Sequence, residues 1–123
     1  MTKKILSVTA VELSIEKKNP PNLLISAKGE VNSGGWSNGR LIQFIYIKPP
    51  ADGIWEFDFV ADEPTGPSTD AITPIDAAQF RWEEFPSEVK GVKVYSSSNF
   101  ITATLVDKKK NLVPSGSERT ASF

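Results

Sequence analysis

The side chains that most often carry enzyme chemistry are missing from this sequence, which contains no histidine and no cysteine. Histidine is the usual general base near neutral pH and, with the cysteine thiolate, a leading transition-metal ligand. Their joint absence removes Ser-His-Asp and Cys-His nucleophilic chemistry, disulfides, Fe–S ligation and zinc sites built on sulfur or imidazole. Carboxylates, hydroxyls and lysines remain. The acidic group Glu56, Asp58, Asp62, Glu63 and Asp70 has the oxygen chemistry for calcium or for glycoside hydrolysis, but not the spacing. Glu56 and Asp58 are two residues apart, so on a strand they share one outer face. Asp62, Glu63 and Asp70 fall in a Pro- and Gly-containing stretch where carboxylates are routine, and no D-x-[DN]-x-[DN]-G sequence occurs. Ser33, Ser37, Ser96, Ser97, Ser98 and Lys28 carry no signature of a Ser-Lys hydrolase. The expectation is a non-catalytic chain with no cofactor and no metal.

Trp36 is the residue most suggestive of binding. It is the one large aromatic in Asn32-Ser33-Gly34-Gly35-Trp36-Ser37-Asn38-Gly39. Such an indole can serve as a platform that stacks on a sugar ring or enters a partner's pocket. Equally, it can fold back and cap one end of the core while the glycines let the backbone turn. The stretch lacks G-x-G-x-x-G and GxxxxGK[ST] and precedes a strand instead of a helix, so a nucleotide-phosphate role is disfavoured. The candidate binding set is Asn32, Gly34, Gly35, Trp36 and Asn38, joined by Asp62, Glu63 and Asp70 from the acidic loop.

The elements that must position these residues are strands. Two-residue alternation recurs in short runs separated by Gly, Pro, Asn and Asp, and helical periodicity is almost absent. From Ile5 to Ile15 the apolar set changes side between Ala10 and Val11, which requires a bulge or a crossing between sheets. Asn19-Pro20-Pro21-Asn22 breaks the chain. A second strand then places Leu23, Ile25, Ala27, Gly29 and Val31 on one face. In a third, Arg40 to Lys48, apolar residues on both sides predict a central position. Pro49 to Gly53 closes a hairpin, and Ile54 to Ala61 sends Trp55, Phe57 and Phe59 to one face against Glu56 and Asp58. Beyond the acidic loop, Ala71 to Ile75 is expected as a short strand and Asp76-Ala77-Ala78 as the start of a helical turn. Phe80 and Trp82 alternate with charged residues as a further strand. Val89–Tyr95 and Phe100–Val106 flank Ser96–Asn99 as a second hairpin. The aromatics Trp55, Phe57, Phe59, Phe80, Trp82 and Phe85 are read as core.

These strands predict an all-β fold, a single-domain antiparallel β-sandwich of immunoglobulin-like type over residues 1–107, with a small up-and-down barrel as the alternative. Residues 108–123 are expected as a polar tail or an added edge strand. The length supports one core without staples, and 39% hydrophobic with 24% charged residues matches a globular chain. Glu12 cuts the N-terminal apolar run too early for a signal peptide, and no stretch approaches a membrane helix, so a soluble cytoplasmic protein is expected.

The net charge of −1 conceals a segregation: residues 1–49 carry +4, residues 50–90 carry −8 and residues 91–123 carry +3. Lys108-Lys109-Lys110 is too small a cluster for a nucleic-acid footprint. No nucleic acid and no membrane are expected as partners. The function expected is that of a binding domain presenting loops to a protein or glycan partner, with self-association through the charged segments as a further route. A sandwich-type proteinase inhibitor acting through exposed loops is the alternative.

Overall fold

The structure is a computed structural model and describes residues 1–105. Val106, the Lys108–Lys110 cluster and the expected tail or edge strand over 108–123 lie outside the described residues. Among those described there is no helix. Nine strands form two sheets, β1 Thr2–Lys4, β2 Ser7–Glu16, β3 Asn22–Val31, β4 Ser37–Gln43, β5 Ile54–Asp62, β6 Thr73–Asp76, β7 Phe80–Trp82, β8 Gly91–Tyr95 and β9 Phe100–Thr104. The sheets pack face to face without closing, so the fold is a β-sandwich and the barrel alternative falls away.

Each sheet is organised around one long strand. Along β5, β4 takes one edge, while β8 and β1 lie end to end on the other, against Ile54–Asp58 and Val60–Asp62. β9 continues from β8. In the second sheet β2 runs along β3, and β7 and β6 lie end to end on its far edge, against Leu23–Ile25 and Lys28–Val31. The β5–β8 pairing is parallel and the other pairings are antiparallel. Between β5 and β8 the chain crosses to the opposite sheet, forms β6 and β7 there and returns, and such a crossover is what a parallel neighbour requires.

The inward faces follow the alternation in the sequence. Leu23, Ile25, Ala27 and Val31 from β3 meet Trp55, Phe57 and Phe59 from β5 and Val92 and Val94 from β8, all buried. Aromatic edges lock the layers together. Phe57 stands 5.1 Å from Phe80 and Trp55 5.6 Å from Trp82, both in edge-to-face contact.

The break of face expected between Ala10 and Val11 lies earlier in the chain and is two features. The chain switches sheets between Ile5, whose N–H donates to the Phe59 carbonyl, and Leu6, whose N–H donates to the Glu30 carbonyl. The register then shifts between Val8 and Ala10, leaving Thr9 as the extra residue of a bulge. The Ser96–Asn99 turn clamps this crossing. The Asn99 amide donates to the Val8 carbonyl and accepts from the Val8 N–H, both at 2.9 Å. Ser97 and Ser98 donate their N–H groups to the carbonyls of Ile5 and Leu6.

Two expectations are corrected. The third strand ends at Gln43 and is an edge strand, not a central one: β4 pairs with β5 alone, and Ile45 and Ile47 are fully exposed. Two-sided apolarity arises there because Leu41 faces the core while Ile42 and Phe44 lie on the outer face, Phe44 stacking on Tyr95. The helical turn at Asp76-Ala77-Ala78 does not form. Asp76 closes β6, and the next two residues are held by sheet-like bonds, Ala77 N–H to the Ala27 carbonyl and Ala78 N–H to the Gly39 carbonyl.

Candidate functional site

The Trp36 loop and the acidic loop do lie at one end of the sandwich, although by a different route from a simple up-and-down order. β3 and β4 belong to different sheets, so the loop between them bridges the layers where β5 also ends. The loops are tied directly. The Gly34 N–H donates to the Thr69 carbonyl at 3.0 Å. At Gly35, with φ +86°, an added Cβ would stand 3.0 Å from the Pro64 side chain. Glycine is thus required at position 35, where the two loops meet, whereas Gly34 contributes only its backbone N–H.

Trp36 is half-buried and packs against the core cluster, and its indole N–H donates to the Ser33 hydroxyl at 3.1 Å. It is neither a free-standing platform nor a fully enclosed cap. The ring forms one wall of a groove of about 170 Å³ lined also by Lys3, Lys4, Leu6, Asn32, Glu63 and Ser97. Four segments converge there: the loop before β4, the sheet crossing, the end of β5 and the β8–β9 turn. Glu63 reaches Lys3 at 3.2 Å, and its N–H donates to the Met1 carbonyl. The groove therefore combines an aromatic face with an amide, a hydroxyl and paired charges.

Three of the expected binding residues, Asn32, Trp36 and Glu63, line this groove. Gly34 and Gly35 do not line it and instead meet Thr69 and Pro64 of the acidic loop. Asn38 and Asp62 form a separate network on the outer side of β4 and β5. Asn38 takes a left-handed conformation, φ 58°, at the β4 register shift, and its amide donates to Asp62 at 3.2 Å. Asp62 also accepts from the Thr2 hydroxyl at 2.8 Å and from Arg40 at 3.3 Å. These donors, the Thr2 hydroxyl first, hold its carboxyl below the usual carboxylate range. The Asp62 carboxylate is thus committed to fastening β1, β4 and β5 at their ends. Asp70 is exposed and does not line the groove.

A second constellation on the outer face of the first sheet escaped the sequence reading. The Tyr46 hydroxyl donates to one Glu56 oxygen at 2.7 Å and the Tyr95 hydroxyl to the other at 2.6 Å. The Glu56 N–H in turn donates to the Tyr46 hydroxyl at 3.0 Å. Lys93 lies beside them, its Nζ 4.2 Å from the Phe100 ring centroid and 5.2 Å from that of Tyr95. Donation from Tyr95 and Tyr46 lowers the Glu56 pKa, while burial and the Glu56 carboxylate push Tyr46 up to about 12. Tyr95 is raised as well, chiefly by its bond to Glu56. A carboxylate held charged and phenols held neutral are poorly matched to proton transfer near pH 7. The cluster instead braces the β4–β5 connection against β8. Tyr46 and Glu56 flank the Pro49–Gly53 turn and so were placed near one another by the hairpin; Tyr95 comes from a strand whose pairing with β5 no local pattern announces.

Beside this cluster a groove of about 370 Å³ is lined by Pro50, Ala51, Asp52, Ile54, Glu56 and Lys93. No group of three or more acidic residues placed to hold a metal ion occurs among the described residues. No helix among them is long and apolar enough to cross a membrane. Comparison of the chain with protein-family models, with curated proteins and with solved structures found no match.

Proposed function

We propose that the chain is a non-catalytic binding module whose rigid sandwich presents the Trp36 groove to a protein or glycan partner. One observation carries this reading: four separate segments converge to set a half-exposed indole beside Asn32, Glu63, Lys3 and Ser97. An aromatic wall with a few fixed polar groups is the composition of sites that bind ring faces and polar edges together. The ring is preorganised by its bond to Ser33, so little rotamer freedom is lost on binding. The sandwich is used here in the immunoglobulin-like manner, with loops at one end forming the contact surface, an analogy of architecture alone.

The test is capture on an oligosaccharide array and from a displayed-peptide library, comparing the parent chain with Asn32→Ala and Trp36→Phe. Asn32 is exposed and Phe retains part of the indole's packing, so both variants should fold. Each should weaken capture at least about tenfold, roughly 1.4 kcal/mol. Binders that ignore both substitutions, or no binder in either collection, would sink the reading.

The proteinase-inhibitor alternative is favoured by one observation, the full exposure of Ile45 and Ile47 on a connection braced by Tyr46 and by Pro49 and Pro50. Failure to slow any member of a protease panel at micromolar concentration would remove it.

A further inference from the structure

The groups that line the Trp36 groove differ in how far the fold has already committed them, and this selects what can occupy it. The charges are paired with one another. Lys3 lies 3.2 Å from Glu63 and Lys4 lies 3.7 Å from Asp58, so each lining lysine has its own carboxylate. An anionic ligand would have to compete with a carboxylate already in place, and a basic peptide would bring further cations to two lysines. The main-chain donors are committed as well. The N–H groups of Leu6, Glu63 and Ser97 donate to the carbonyls of Glu30, Met1 and Ile5. An extended peptide is held chiefly by main-chain bonds, and these three positions have no N–H to give it.

The uncommitted groups are an aromatic face and a few polar side-chain atoms. The indole N–H of Trp36 is given to Ser33, so the half-buried ring has its π face and carbon edge to offer. Asn32 is exposed, and a side-chain amide donates and accepts at once. Lys3 holds Glu63 through Oε2, which leaves Oε1 to accept. At about 170 Å³ the groove is smaller than the roughly 300–1,000 Å³ of sites that enclose a drug-sized ligand, so it suits one ring and not several. β9 carries the described chain away from this end: the Leu105 N–H donates to the Lys90 carbonyl, and the Lys90 N–H to that of Gly53, at the opposite end of the sandwich.

Taking the Trp36 groove as the binding site, as proposed above, we infer that its ligand is a neutral glycan gripped through a single pyranose. A neutral pyranose has an apolar C–H face for the indole and hydroxyls that each donate and accept. One hydroxyl donates to Glu63 Oε1, and its neighbour exchanges hydrogen bonds with the Asn32 amide. Both ion pairs stay intact, and no backbone donor is needed.

The test is an array holding neutral, sialylated and sulfated oligosaccharides, run beside the displayed-peptide library. The captured glycans should be neutral and share one sugar, and the free methyl glycoside of that sugar should compete for capture. Capture should be the same at low and high salt, because no ligand charge is screened. Asn32→Ala and Glu63→Ala should each weaken competition by the methyl glycoside at least about tenfold, roughly 1.4 kcal/mol, with an unchanged circular dichroism spectrum. Capture confined to peptides or to charged glycans, capture that falls steeply with salt, or capture that the methyl glycoside does not compete would overturn the neutral-sugar inference while leaving the groove as a binding site. No capture in either collection would remove the groove reading and this inference with it.

Discussion

The residue that most repays attention in this chain is a glutamate with two phenols on it. Glu56 takes both of its side-chain hydrogen bonds from the only two tyrosines in the sequence, so the chain has no unperturbed tyrosine to blur their titration. Ionisation followed by absorbance near 295 nm should lag in the native protein, with Tyr46 titrating at about 12, and return to the ordinary value when the chain is unfolded in urea. Native phenols titrating at the ordinary value would contradict the cluster. The linkage has a definite sign. The Tyr46 pKa is raised by folding, so its contribution to stability is complete below the unfolded value of 10 and is lost as pH climbs toward about 12. Glu56 is lowered, so its contribution is complete above the usual carboxylate pKa and is lost as pH falls through its depressed value. At this scale the sequence displayed the candidates but not their partners. Trp36, Asn32 and Glu63 stood out by type and context, whereas the roles of Asn38 and Asp62 as a strand fastening depend on the pairing of β4 with β5, which residue types do not reveal.

At the scale of elements, alternation was a sound guide wherever one face is buried. It located β3, β5, β8 and β9, and for β3 and β5 the sides they turn inward, because burial of every second residue is what fixes a strand's register. It failed at β4, where an apolar residue on either face reads the same whether a neighbour covers it or solvent does. Only the pairing shows that Leu41 is core and Ile42 is surface. The first strand lies between these cases, since the break in pattern was visible but its two causes, a sheet switch at Ile5–Leu6 and a bulge at Thr9, were not separable. Two substitutions probe this crossing. Asn99→Ala removes both bonds to the Val8 backbone and should cost about 1–3 kcal/mol, read as a fall in denaturant midpoint at constant slope. Gly29→Ala puts a Cβ onto the Ile5 side chain and the Ser7 carbonyl, and crowding of that kind costs about 1–3 kcal/mol in the same measurement. A midpoint unchanged in either variant would mean that the crossing is not built as described.

For the whole molecule, the sandwich follows from strand count, turn chemistry and the inward aromatics, all legible in the sequence. The parallel β5–β8 pairing is not, since it depends on where the chain goes between those strands. Its consequence is functional. By leaving β5 for the opposite sheet, the chain lays the 63–72 segment over the sandwich end, where Thr69 meets Gly34 and Glu63 closes one side of the Trp36 groove. On the function proposed above, a partner binds in this groove. The most direct measurement is a ¹H–¹⁵N spectrum recorded while an oligosaccharide or peptide captured by the parent chain is titrated in. The chain has three tryptophans, and Trp36→Phe identifies the Trp36 indole signal among them. This signal should shift together with the amides of Asn32, Glu63 and Ser97, while the indoles of Trp55 and Trp82 stay in place. Shifts confined to Leu41–Ile47 or to the groove at Asp52 and Lys93, with the Trp36 signal unmoved, would contradict the proposed function.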